Sequence, residues 1–137
     1  MTWTSSNDLV ERVTRVYERF ASGDPQPMIE FLDEAVIYHL PGNHLGGGTV
    51  RGRLALFERT GKAAAACDAP PRIALLHVGA AGPLVVSLEH LTARRGARAL
   101  DQTVCVVWRI AEGRCVEVWS HFADQRACDE FWEGVAF

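Results

Sequence analysis

The chain has no apolar run approaching the roughly 18 residues that a membrane-spanning helix requires. Its start, "MTWTSSNDLVERV", lacks the basic stretch and apolar segment of a secretory leader. Both absences lead us to expect a cytoplasmic protein with no membrane partner. Nor is one sign of charge in excess: 14 basic residues stand against 17 acidic ones, for a net charge of -3. The bases are scattered apart from Arg94, Arg95 and Arg98, which read as a solvated hairpin, so nucleic acid is a poor partner. Cysteine is sparse and unpatterned. Cys67, Cys105, Cys115 and Cys128 show no CxxC spacing, and reduced, mostly packed thiols are the expectation for a domain that needs no disulfide staple. Five histidines are present, yet none stands in an HxH or HExxH arrangement. That leaves a metal without two ligands on one side of an element, and no metal is expected.

What the chain does have is enough apolar residue, 48% of 137, for one core and one domain, residues 1–137. Leu9, Val13, Val16, Tyr17 and Phe20 recur at helical spacing and predict a helix from about Asn7 to Ala21, with Ser5 and Asp8 as a capping box and "SGDP" as its end. "PQPMIEFL" fits a second, shorter helix with proline in its first turn. "EAVIYHL" is β-branched and aromatic and stops at Pro41-Gly42, so it reads as a strand. A third helix fits Gly52 to about Ala66. Then "RIALLHV", "PLVVSLEHLTARR", "ARALDQTVCVVWRIA" and "RCVEVWSHFA" are strand-like runs joined by tight turns, the pattern of an antiparallel meander. "DQRACDEFW" closes the chain as a helix with Asp124 as N-cap. Helices segregated from such a sheet mean α+β.

Alternation along "LDQTVCVVWRI" puts Gln102, Val104, Val106 and Trp108 on one face and Asp101, Thr103, Cys105 and Val107 on the other. In "SLEHLTA" it sends one of Glu89 and His90 inward and the other out, without deciding which. Glu117, Trp119 and His121 share a face. The segment "HLPGNHLGGGTVRG", residues 39–52, approaches a phosphate loop, but Arg53-Leu54 stands where GxxxxGK[ST] needs its Lys and Ser/Thr. It reads instead as the crossing from the first strand to the third helix.

Four stretches, "ASGD", "YHLPG", the "RG" opening the third helix and above all "EGRCVEVWSHFADQRACDEFW", resemble the SnoaL-like branch of the NTF2-like superfamily, alongside ketosteroid isomerase. The resemblance spans about residues 7 to 132. It implies a cone, in which a strongly curved antiparallel or mixed sheet wraps three helices from the N-terminal half, with a short C-terminal helix and a ligand cavity inside. It also implies a homodimer.

Aligning "AVIYHLPG" with the isomerases puts His39 where their general-base aspartate stands. Their oxyanion tyrosine falls on Val16, one residue short of Tyr17, and their acidic donor on Val106. The acid that follows the last-strand tryptophan in cyclases is replaced by Ser120. Steroid isomerisation in its known form is therefore not expected. The resemblance implies a cofactor-independent cyclase, isomerase or dehydratase of natural-product biosynthesis, acting by general acid–base catalysis. His39 would move a proton, with Gln102, His121 and Glu117 holding or protonating an oxygen. Tyr17, Tyr38, Gly47, Val50, Phe57, Val106, Trp108 and Trp119 would surround a small hydrophobic, aromatic or polyketide-like substrate, Gly47 and Val50 keeping the mouth wide. Two alternatives remain: a binding or accessory protein that uses the same cavity without chemistry, and an epoxide hydrolase with an Asp, Arg and Asp bridge.

Overall fold

The computed structural model describes residues 6–42 and 47–137. Ser5 of the expected capping box, His44 and Gly46 lie outside the described residues. Helix α1 (Ser6–Ala21) buries Leu9, Val13, Val16 and Tyr17, each removed from water at a gain of about 1.5–3 kcal/mol for an aliphatic side chain. It stops where Gly23 takes φ 93, a conformation only glycine adopts cheaply. Asp24 then fixes the turn, accepting from Arg19 at 2.6 Å and from the Gln26 amide at 3.1 Å. Helix α2 (Gln26–Phe31), strand β1 (Leu32–Leu40), strand β2 (Gly48–Arg51) and helix α3 (Arg53–Ala66) follow. Strands β3 (Arg72–Ala81), β4 (Leu84–Arg95), β5 (Arg98–Ala111) and β6 (Arg114–Phe122) form the meander, and α4 (Gln125–Trp132) ends it. Among the described residues no helix is long and apolar enough to cross a membrane.

The six strands form one mixed sheet in the order β2-β1-β6-β5-β4-β3. Strands β1 and β6 run parallel, and every other neighbouring pair is antiparallel. The fold is thus the α+β cone the resemblance implies, with one strand more than the sequence pattern suggests. Strand β2 escapes notice because four residues inside a glycine-rich segment are too few to show alternation. Its Val50 pairs with Tyr38 and is 5% exposed.

The inner face carries Val36 and Tyr38 of β1, Val85, Ser87 and Glu89 of β4, Val104, Val106 and Trp108 of β5, and Val118 and Ser120 of β6. Apart from the half-buried Tyr38 these residues are buried. They pack with α1, Phe31 and Leu56 into the main core, while Leu100, Cys128, Phe131, Trp132 and Val135 form a second cluster under α4.

Arginines close the helices. Arg53 donates to the carbonyls of Ile29 and Leu32 at 2.9 and 3.2 Å, covering the end of α2. Arg95 donates to Phe131 O, and Arg98 donates to Glu130 O at 2.5 Å. Arg94, Arg95 and Arg98 do stand at the β4–β5 hairpin, with Arg94 and Arg98 exposed, and Arg95 and Arg98 also serve as a cationic clamp on the unsatisfied carbonyls at the end of α4, where the helix dipole favours positive charge.

Candidate functional site

A cavity of about 170 Å³ lies between the inner face of the sheet and α1, α2 and α3. Tyr17 of α1, Tyr38 of β1, Phe57 of α3 and Trp108 of β5 supply aromatic walls, and Leu32, Leu56, Ile73 and Val106 fill between them. Phe20, 46% exposed, and Thr60 line its solvent side, so the opening lies between the end of α1 and the middle of α3. One carboxyl reaches this apolar space, that of Glu89, on a residue 8% exposed. The lining residues include no lysine, arginine or histidine.

Glu89 is inside because β4 alternates: Val85, Ser87 and Glu89 point inward while Val86 and Leu88 stand out at 37% exposure each. Burial holds its carboxyl above the usual carboxylate range, although hydrogen bonding from Tyr17 works against the shift. Behind Glu89 runs a chain of buried polar groups. The Trp108 Nε1–H donates to Ser87 Oγ at 2.9 Å, and Ser87 Oγ lies 3.0 Å from the Tyr17 hydroxyl. Either hydroxyl of this pair can donate, and when Ser87 gives its proton to the Tyr17 oxygen the Tyr17 O–H is left for Glu89. Burial, then the Glu89 charge, pushes the Tyr17 phenol far above its ordinary range, so it stays a donor. Burial likewise pushes Tyr38 up to about 12, and its hydroxyl meets Ser120 Oγ at 2.5 Å.

Of the residues expected to act on a substrate, Tyr17, Tyr38, Phe57, Val106 and Trp108 line this cavity together. The others do not. His39, Glu117, Trp119 and His121 lie on the outer face of the sheet, and the assignment of His39 as cavity base is corrected by strand geometry. Neighbouring residues in a strand point to opposite faces, so Tyr38 inside requires His39 outside. There His39 Nε2 meets Glu117 Oε2 at 2.6 Å, Arg109 Nη2 reaches Glu117 Oε1 at 3.0 Å, and the imidazole stacks on Trp119 with centroids 5.3 Å apart. Hydrogen bonds from His39 and Arg109 hold the Glu117 carboxyl below the usual range.

Gln102 shares the inward side of β5, as its alternation predicts, but is occupied structurally. Its Nε2 donates to Asp124 O at 3.1 Å and its Oε1 accepts from Asp124 N at 2.9 Å, while the Asp124 side chain caps α4 through Ala127 N. Val50 is core, and Gly47 is not among the cavity-lining residues. Gly48 and Thr49 instead border a shallow depression beside His39 and His121. Glu89 was one of two candidates in "SLEHLTA", and the sequence held no signal to choose between the faces. The buried serines Ser87 and Ser120 carry no sequence signal of their own. Among the described residues no group of three or more His, Cys, Asp or Glu could hold a metal. With one carboxyl and no arginine, the lining does not supply an Asp, Arg and Asp bridge.

Known proteins agree with this architecture. The sequence profile of the SnoaL-like domain matches residues 13–118. An uncharacterised protein of Mycobacterium tuberculosis is 29% identical over 130 residues, spanning 94% of this chain and 98% of that one. Bal32a, from a soil-derived mobile gene cassette, is 35% identical with a TM-score of 0.83 over 90% of this chain and 95% of its own. IdmH, a proposed polyketide cyclase from Streptomyces antibioticus, shares the fold at 21% identity, TM-score 0.67, over 82% of this chain and 90% of its own. The chain belongs to the SnoaL-like family, within the NTF2-like fold.

Proposed function

We propose that this protein is a cofactor-independent enzyme that moves a proton on a small uncharged substrate, with Glu89 as the acid–base group. One observation carries the reading: a single buried carboxyl, held above its ordinary range, faces an apolar cavity with no basic side chain in its lining. A carboxyl whose pKa is raised by burial is a stronger proton acceptor than an exposed one and can return the proton it takes. As carboxylate, Glu89 takes a proton from an activated carbon. As acid, it returns that proton to a second atom of the same substrate, so no electrons are gained or lost. Tyr17 steadies the carboxylate before the first step and after the second, and the Tyr38 hydroxyl offers a donor for the oxygen on which charge develops between them.

The cavity favours modest substrates, since a site of roughly 150 Å³ accommodates a benzene ring. One or two rings therefore suit it better than a large polyketide. The cyclase and isomerase activities of the family fit this scheme, and the cytoplasm, where the four free thiols would stay reduced, is its setting. We also place a homodimer in this reading, through the sheet's outer face. The binding-protein alternative has one observation in its favour: the Tyr38 hydroxyl is already engaged by Ser120.

Solvent deuterium exchange into enolisable cyclic ketones and phenols, followed by proton NMR, reads proton abstraction without knowledge of the natural substrate. Glu89→Gln is expected to slow exchange by roughly 10²–10⁴-fold. Exchange that survives in Glu89→Gln and is lost in His39→Ala would move the chemistry to the outer face. Ligand binding with no exchange in the native protein would favour the binding protein.

A further inference from the structure

The cavity does not treat the two signs of charge alike. A negative charge needs cations or hydrogen-bond donors, and among the described lining residues none is lysine, arginine or histidine. The hydroxyls have partners already. Thr60 Oγ1 donates to Phe57 O at 3.1 Å within α3, Tyr17 is engaged with Glu89, and Tyr38 shares a hydrogen bond with Ser120 at 2.5 Å. An oxyanion would have to compete for the Tyr38 proton.

A positive charge is better served. Tyr17, Phe20, Tyr38, Phe57 and Trp108 all line the cavity, and a cation over an aromatic ring is attracted by the ring quadrupole, more strongly where water is excluded. Glu89 adds a carboxyl, on a residue 8% exposed. Burial penalises its carboxylate form, and a cation beside it offsets that penalty, because opposite charges attract strongly where water is excluded. The lining thus supplies an anion and aromatic walls and leaves the cation to the ligand.

We infer that the cavity is built around a positively charged nitrogen, and that the substrate is a small cyclic imine which Glu89 converts into its enamine by way of the iminium ion. The inference rests on Glu89 as the acid–base group and names the substrate class for it. An uncharged molecule that becomes cationic on receiving a proton is a base, and a C=N bond with a neighbouring C–H can then release a different proton from carbon. Here Glu89 acts as acid first. Its O–H bond breaks as the nitrogen lone pair takes the proton, which leaves carboxylate and iminium side by side. The carboxylate then removes a proton from the carbon next to C=N⁺. That C–H electron pair becomes the C=C bond, and the C=N π pair returns to nitrogen. Glu89 ends as the acid it began as, and no electrons are gained or lost. Hydrogen bonding from Tyr17 favours the carboxylate, so it supports Glu89 during the interval in which charge is separated.

A pair of isosteres tests the ligand class without turnover. 1-Methylpyridinium is a flat ring that contains C=N⁺, and toluene has the same shape without the charge. Chemical-shift titration of the full chain at pH 7.5 gives the ratio of their dissociation constants. The cation is expected to bind at least roughly tenfold tighter, the size of effect that a desolvated cation–π contact supplies. That preference should vanish in Glu89→Gln and shrink in Phe57→Leu, each with unchanged circular dichroism. Toluene bound as tightly as the cation overturns the inference, and a preference that survives Glu89→Gln overturns the part given to the carboxyl. The reaction is read by deuterium exchange at the carbons next to C=N in 2-methyl-1-pyrroline and next to C=O in cyclohexanone, each as an acceleration over the rate without protein. A larger acceleration for the imine, lost in Glu89→Gln, is expected. A larger acceleration for the ketone, also lost in Glu89→Gln, overturns the imine and leaves Glu89 as the acid–base group. A preferred cation with no accelerated exchange into either compound supports the cation site and overturns the acid–base reading on which the conversion rests.

Discussion

Replacing Glu89 by Gln keeps the shape of the side chain and removes its titration, so the stability of the two proteins should diverge with pH in a calculable way. Glu89 lies 8% exposed against aromatic walls, and burial raises its folded pKa above the unfolded value of about 4.3. For a carboxyl shifted in this direction the unfolded state releases its proton first. The stabilisation associated with the neutral acid is therefore fully present below the unfolded pKa and is lost as pH rises through the folded one. Across that window the native protein should lose up to about 1.4 kcal/mol per pH unit relative to Glu89→Gln, then run parallel to it. Urea denaturation of both proteins between pH 3.5 and 8.5 gives the difference curve. Its plateau, divided by about 1.4 kcal/mol, must equal the elevation of the Glu89 pKa measured independently from the side-chain carboxyl carbon by NMR. A flat difference curve, or one in which the native protein gains stability relative to Glu89→Gln as pH rises, would refute the argument that desolvation governs this group.

Tyr17→Phe removes the donor that favours the Glu89 carboxylate, so the NMR titration of Glu89 should move to still higher pH. Gln102→Ala severs two hydrogen bonds to the Asp124 backbone at 3.1 and 2.9 Å. It should cost about 1–3 kcal/mol in urea and accelerate amide exchange in α4 before the rest of the protein. Trp108→Phe deletes the indole donor to Ser87 while Tyr17 still holds that hydroxyl, for a loss of about 0.5–1.5 kcal/mol by the same assay. His39→Ala should leave deuterium exchange into cavity ligands unchanged, because His39 stands on the opposite face of β1.

The parts of this fold that were legible in the sequence are those with a long period. Leu9, Val13 and Val16 mark α1, and alternation through Val104, Val106 and Trp108 assigns the faces of β5, because each pattern extends over several turns or residue pairs. Strand β2 was hidden because "GTVR" is too short to show alternation, and its place depends on pairing with Tyr38 rather than on local preference. The site was half legible for a related reason. Aromatic residues on inward positions could be named, but β4 is apolar on both faces, with Val85 beside Val86 and Ser87 beside Leu88. Only its register with β5, which sets Glu89 opposite Val104, decides that Glu89 is inside. In β1 a one-residue difference in register exchanges Tyr38 for His39, and it changes which residue can touch a ligand. Gln102 was assigned to the correct face, yet its partner is the Asp124 backbone, brought near only by the tertiary fold.

The claim that the inward cavity, through Glu89, is the working site is tested most directly by a crystal structure soaked with one- and two-ring cyclic ketones and phenols. The account predicts density inside the cavity with a ligand oxygen or acidic C–H against the Glu89 carboxyl, and loss of that occupancy when Leu56→Trp fills the space. Density confined to the depression beside His39 and Trp119, with the cavity empty, would contradict it.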